Sequence, residues 1–229
     1  NHYKDQTDIF FTCHEFSYNK IAEAYEPYLG LIRQMFHKYC SGTLEEFMEE
    51  CDVYKLQRPV FESYFEKGFC ERTEQILIDE VEYEQERMRN SIVTMLQKLS
   101  EIRPVVIVLN RFQLASKSTM QLSNSLLQVK NKNIGIVLGV NDVQSIPEFA
   151  HEEWDAICES MDDRNMVYHI GNAGRNMEPD VMDYYSDYES DDGYRKLNNL
   201  VYFLDFDQAD HHLSKIERRI KFDNFTISE

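Results

Sequence analysis

The chain has 229 residues, a hydrophobic content of 42%, and 14 Tyr with 14 Phe, which is enough for one sizeable core and too aromatic for a disordered chain. Its net charge of −17, from 41 acids against 24 bases, repels phosphate backbones and argues against direct nucleic-acid binding. The longest apolar run, "PVVIVL", is strand-sized, so no segment reads as membrane-spanning, and the polar "NHYKDQTD" opening lacks the pattern of a signal peptide.

Ile9 to Cys13 reads as a short strand rich in aromatic and β-branched residues. "NKIAEAYEPYLGLIRQMFHKYC" has helical spacing, with Leu29, Ile32, Met35, Phe36 and Tyr39 on one face and Pro27 in the first turn. "TLEEFMEECDVYKLQ" is a second helix, in which Thr43 and Glu46 form a capping box. "RPVFESYFEKGF" is helical too, and a long helix from about Thr73 to Leu99 is apolar at Ile76, Val81, Met88, Ile92, Met95, Leu96 and Leu99.

Val105 to Leu109 is apolar without alternation, the pattern of a strand covered on both faces of a parallel sheet. A helix follows over Ser118 to Val129, then a second buried strand over Asn133 to Val140. A helix over Pro147 to Met161 carries the only Trp, Trp154. "MVYHIGN" is a short strand or a docking segment, and "LVYFLDF" (Leu200 to Phe206) reads as a third convincing strand before a helix over Asp207 to Ile220. Strands separated by helices predict an α/β protein with a mainly parallel sheet. "NMEPDVMDYYSDYESDDGYRK", residues 176–196, is acidic and Tyr-rich and reads as a long flexible loop.

The five cysteines, Cys13, Cys40, Cys51, Cys70 and Cys158, are scattered with no CxxC pair, which fits reduced thiols and a cytoplasmic location. The chain also reads as a fragment of a longer protein. It opens without Met, and its closing "FTISE" offers Thr226 or Ser228 as the cap of a helix with no sequence left to form it.

"RPVVIVLNRFQLASKSTMQLSNSLL" resembles the second conserved block of the STAND-type P-loop ATPases, a branch related to AAA+ proteins. Gln113, Ala115, Ser118, Thr119 and Leu122 fit that block's turn and helix. "FFTCHEFSYNKIAEAYEPYLGLIRQMF" is similar to the family's strand after the P-loop helix, with Tyr25 and Pro27 opening a long helix. "NIGIVLGVND" is similar to its next strand, placing Asn141 at a polar sensor position. "LVYFLDFDQADHHLSKIERRI" is like its closing strand and the helix leading to a lid.

The resemblance implies a three-layer P-loop NTPase-like core with helices on both faces of the sheet. It divides the chain into an ATPase-like core over 1–206, with 176–196 as an acidic insertion, and the start of a helical lid over 207–229. It also implies a regulatory module of a larger, bacterial signalling or transcription-regulatory protein, in which nucleotide state controls self-association or an attached output domain. The nucleotide-site residues it implies are Asn110, at the position of the metal- or water-holding acid, with Arg111, Gln113 and Asn141. The cofactors would be ATP and Mg²⁺, on condition that a phosphate loop lies upstream.

Two departures bear on activity. No Gly-Lys-Ser or Gly-Lys-Thr occurs, so the loop whose backbone N–H groups wrap the phosphates is absent from the chain; the family's order would place it about 25–35 residues before Asp8. Asn110 stands where an Asp would hold Mg²⁺, and Arg111 beside it repels a metal. The chain alone is therefore expected to be inactive, and its parent at most a weak ATPase. The alternative is a non-enzymatic scaffold that keeps the ATPase shape and binds a basic protein partner through residues 176–196, where Tyr184, Tyr185 and Tyr188 would anchor it.

Other clusters read as structural. Asp205, Asp207, Asp210, His211 and His212 gather at a helix start, where acids favour the first turn and Asp207 is a natural cap, so no metal site is expected. Cys13 and His14 point to opposite faces of a strand. Cys158 and His151 lie two helical turns apart, too far for a catalytic pair. "GNAGRN", residues 171–176, reads as an ordinary turn.

Overall fold

The computed structural model describes residues 9–17, 20–69, 81–129, 131, 133–141, 146–162, 195, 202–203 and 205–214. The element order is β1 (Phe10–Glu15), α1 (Glu26–Tyr39), α2 (Leu44–Glu50), α3 (Arg58–Lys67), α4 (Val81–Ile102), β2 (Val105–Asn110), α5 (Lys117–Gln128), β3 (Ile134–Leu138) and α6 (His151–Asp162). Single 3₁₀ turns stand at Phe112–Leu114 and Glu148–Ala150, and residues 206–214 are helical. Among the described residues, no helix is long and apolar enough to cross a membrane.

Local chemistry sets the helix ends. Pro27 stands in the first turn of α1, where its missing N–H costs nothing. The capping box of α2 is formed: Thr43 Oγ1 accepts from Glu46 N, and Glu46 Oε2 accepts from Thr43 N at 2.9 Å. Gly68 ends α3 in the left-handed region at φ 81°. There Arg33 donates from Nε to Phe65 O at 2.6 Å and from Nη2 to Glu66 O at 3.1 Å, satisfying carbonyls that the helix leaves bare.

The three strands are parallel and lie side by side in chain order, with β2 in the middle. Antiparallel neighbours can be joined by a tight turn, whereas parallel ones need a crossover. The crossover from β1 to β2 carries α1 to α4, and that from β2 to β3 carries α5. Helices α1 and α4, α4 and α5, and α5 and α6 pack against one another. Their inward residues, including Leu29, Ile32, Met88, Ile92, Leu96, Met120, Leu122 and Ile157, share one core cluster with Val105, Ile107 and Leu109 of β2. The architecture is thus a mixed α/β fold around a parallel sheet.

Two expectations are corrected. The pattern of Val105 to Leu109 predicts cover on both faces, but β2 alternates: Val105, Ile107 and Leu109 are buried while Val106 and Val108 are half-exposed. The register puts Phe11 beside Val106, Cys13 beside Val108, and Gly135 and Val137 on their far side. On that face Phe11 keeps 48% and Val137 53% of its surface exposed. Of the helices expected on both faces, the described residues therefore place a cover on one.

The predicted strand over Leu200 to Phe206 is also not one where it is described. Tyr202 is helical, Phe203 lies in a turn, and Phe206 begins the helix at 206–214. The reason is packing: Phe203 is fully buried, with its ring 6.0 Å from Tyr25, 6.1 Å from Phe61 and 5.8 Å from Tyr64. The long helix is described from Val81, which is exposed rather than on the apolar face. The readings at residues 171–176 and "MVYHIGN", and all but Arg195 of 176–196, fall outside the described residues.

Phe203 ties its segment to Tyr25, Phe61 and Tyr64 through aromatic contacts. Phe203→Ala is expected to cost about 3–5 kcal/mol, as for a buried Phe. Urea unfolding checks it, and a loss below about 1 kcal/mol would mean that this ring does not fill a core site.

Candidate functional site

In open parallel sheets, ligands bind outside the carboxyl ends of the strands. Here that edge is formed by Glu15 of β1, Asn110 of β2 and the residues after Leu138 of β3. Backbone bonds stitch it together: Phe16 N donates to Asn110 O at 3.1 Å, Gly139 N to Leu109 O at 2.8 Å, and Phe112 N to Gly139 O at 2.9 Å.

The chain leaves β2 sharply. Arg111 takes a left-handed conformation, φ 54° and ψ 44°, and enters the 3₁₀ turn before Ser116 caps α5. A positive φ in a side-chain-bearing residue costs about 1–3 kcal/mol and must be held by its surroundings. It is held by the Phe112–Gly139 bond on one side and by an ion pair from Arg111 Nε to Glu15 Oε1, 3.3 Å, on the other. Asn110 Oδ1 accepts from Arg111 N at 3.2 Å. The same oxygen would lie 2.8 Å from a Cβ on Gly139, so a larger residue there would push the Asn110 side chain aside.

The four residues singled out in the sequence are brought together at this edge. Asn110 and Asn141 are exposed and Arg111 is half-buried. Gln113 is completely buried: its Oε1 accepts from Asn141 N at 3.4 Å, and its Nε2 has no hydrogen-bond partner. A buried amide without a partner costs about 1–3 kcal/mol, so its N–H groups are donors held in reserve.

Glu15 was not singled out. The sequence reading ended the first strand at Cys13; the strand runs two residues further and sets Glu15 in register with Asn110. The edge thus carries an acid after all, on β1 rather than β2, and Arg111 neutralises it. His14 approaches Glu26 Oε2 to 3.9 Å, but burial, helped by the charge of Lys20, lowers its pKa, so the ring is neutral near pH 7.

A second polar centre lies at the start of α5, where Ser116, Ser118, Thr119 and Ser123 are buried. Ser116 donates from Oγ to Glu23 O at 3.1 Å, Thr119 Oγ1 accepts from Tyr25 N at 3.0 Å, and Tyr28 Oη pairs with Ser123 Oγ at 2.6 Å. This ladder fastens α5 to the start of α1. Asp205, 3% exposed, accepts from Ser118 N at 2.9 Å with Oδ2 and from Gln208 N at 3.3 Å with Oδ1. One carboxylate therefore caps two helices, and Asp205 takes the capping role expected of Asp207. Asp207 instead binds Lys117 Nζ at 2.8 Å, with Glu153 3.6 Å from the same ammonium. Burial opposes the Lys117 charge, but the Asp207 hydrogen bond and the Glu153 and Asp207 charges outweigh it and raise its pKa.

No group of His, Cys, Asp and Glu suited to a metal occurs among the described residues. His151 spends Nε2 on Ile146 O at 3.0 Å. Comparison with protein-family models, with curated proteins and with solved structures finds no match to this chain.

Burial raises the pKa of Asp205 above its ordinary 3.8, against the lowering by the Ser118 and Gln208 hydrogen bonds. A carboxyl group raised on folding contributes stability that is full below its unfolded pKa and is lost as pH rises through the folded one. Asp205→Asn removes this dependence, so its stability deficit relative to the wild type should shrink as pH rises from about 4. Urea unfolding at a series of pH values tests this; a deficit that grows with pH would mean the carboxylate is stabilised where it sits.

Proposed function

We propose that the chain is a regulatory ATPase-like module of the STAND/AAA type, part of a larger signalling protein, in which the carboxyl edge of the sheet reads nucleotide state. The observation that carries this reading is the buried Gln113 amide, whose Oε1 accepts from Asn141 N and whose Nε2 has no partner among the described residues. An unused donor behind an edge where parallel strands end is suited to an anionic oxygen, and Arg111 adds positive charge. The side-by-side parallel strands with intervening helices support the same reading.

The edge favours sensing over hydrolysis. Asn110 brings no charge for Mg²⁺, and the one acid in register with it, Glu15, is occupied by Arg111. Polarising an attacking water needs a base, and a metal needs carboxylates. A phosphate drawing Arg111 away would release Glu15, so the ion pair can exchange one anion for another and report occupancy through β1. Gln113 and Asn141 would orient the terminal phosphate; the phosphate loop and Mg²⁺ would come from the parent.

A second reading, a non-enzymatic scaffold that keeps the shape, is favoured by the uncovered apolar face of the sheet. Titrating fluorescent ATP with Mg²⁺ into the chain, and into a parent extended by about 50 residues, separates the two. Under the nucleotide reading the extended protein binds, and Asn110→Ala, Asn141→Ala or Gln113→Met each weakens binding about tenfold, or about 1.4 kcal/mol. Gln113→Met also relieves the orphaned amide and should leave stability unchanged or raise it by up to about 1 kcal/mol. Absence of binding by either protein, or mutants that bind normally, would give the scaffold reading the field.

A further inference from the structure

Among the described residues, the face of the sheet opposite the helices is an apolar trough. Its floor is Val106, Val108 and Gly135; Phe11 and Val137 stand at its sides, and Glu15 lies at its carboxyl end. Gly135 matters to its shape, because a Cβ there would meet Val106 Cγ2 at 3.5 Å. Without it the floor is notched and a backbone can come close. Parallel sheets are ordinarily covered on both faces because an apolar face left in water is costly.

The dimensions fit one helix. Three strands span about 10 Å between the outer two, and six residues run about 20 Å along the strand. A helix is about 10–12 Å across, and about 13 residues cover that length. Charge selects the kind of helix. The chain carries −17, and Glu15 at the end of this face, though paired with Arg111, stays exposed. A second copy would bring the same −17 against it, which like-charge repulsion disfavours.

We propose that this trough is the docking site for an amphipathic helix of another polypeptide, with an apolar stripe toward Phe11, Val106, Val108 and Val137 and Lys or Arg along its flanks. The inference is independent of the nucleotide reading: it uses the face of the sheet, not its edge. A partner seated here would lie against the strands whose ends carry Glu15 and Asn110, and so stand within reach of that edge without entering it.

The probe is a fluorescent 15-residue helical peptide of Leu, Ala and Lys, compared with a scramble of equal composition that has no apolar stripe. Binding is read by anisotropy against the wild type, Phe11→Glu/Val137→Glu, Val137→Glu alone, and Tyr83→Glu, an exposed position on α4. The amphipathic peptide should bind the wild type and Tyr83→Glu alike. The scramble should bind at least tenfold more weakly, and the double variant should lose at least tenfold. The added acids make the signs decisive, because unspecific attraction of a basic peptide would grow in these variants, whereas seating in the trough must fall. Should the double variant unfold by circular dichroism, Val137→Glu alone gives the same reading. Equal binding of both peptides, or unchanged or tighter binding by the Glu variants, overturns the proposal. A wild-type dimer that the Glu variants convert to monomer on sizing overturns it in favour of a second copy.

Discussion

The structure depends on the one-sided burial of β2. Val105, Ile107 and Leu109 are almost fully buried, and they join both outer strands to the helical layer, because β2 alone pairs with β1 and β3. Fully burying an aliphatic side chain contributes about 1.5–3 kcal/mol, so these three positions outweigh any polar contact at the sheet's edge. Having paired its residues and buried every second one, the strand delivers Asn110 and Arg111 to the carboxyl edge, where the left-handed turn at Arg111 redirects the chain into α5. The site's geometry follows from the strand rather than from contacts within the site.

Polar groups then determine how the helices meet the sheet. The start of α5 is fixed to α1 through Ser116, Thr119 and Ser123, and to the segment at 205–208 through the Asp205 carboxylate. Each hydrogen bond contributes about 0.5–1.5 kcal/mol, but leaving a buried helix end bare costs more. Asp205 therefore acts as a connector: it satisfies N–H groups of two helices while Phe203, two residues earlier, fills the aromatic cluster of α1 and α3.

The legible parts of the fold were those with local causes. Pro27, the Thr43–Glu46 capping box and the span of β2 are written in spacing and capping chemistry, and all three are present. Three things were not local. Glu15 was missed because the polar pair His14–Glu15 looks like a loop, while its place in β1 is set by pairing with Leu109 and Asn110. "LVYFLDF" was misread because a short apolar run does not distinguish strand from buried turn; the aromatic pocket around Phe203 decided it. The Ser and Thr positions in α5 looked like family markers, yet most are spent on docking the helix. The four residues named from the sequence meet at this edge, and the structure adds that Gln113 is buried with an unused donor.

Among the described residues the sheet is closed on one face and open on the other, with its polar edge between them. Cys13 lies on the open face and Cys51 in the core. Pulsed alkylation of the native protein, read by peptide mass spectrometry, tests this directly. Cys13 is expected to be modified at a rate near that of a thiol in unfolded chain, whereas Cys51 reacts only on unfolding. Protection of Cys13 equal to that of Cys51 would mean that the face is covered, and the one-sided architecture would be wrong.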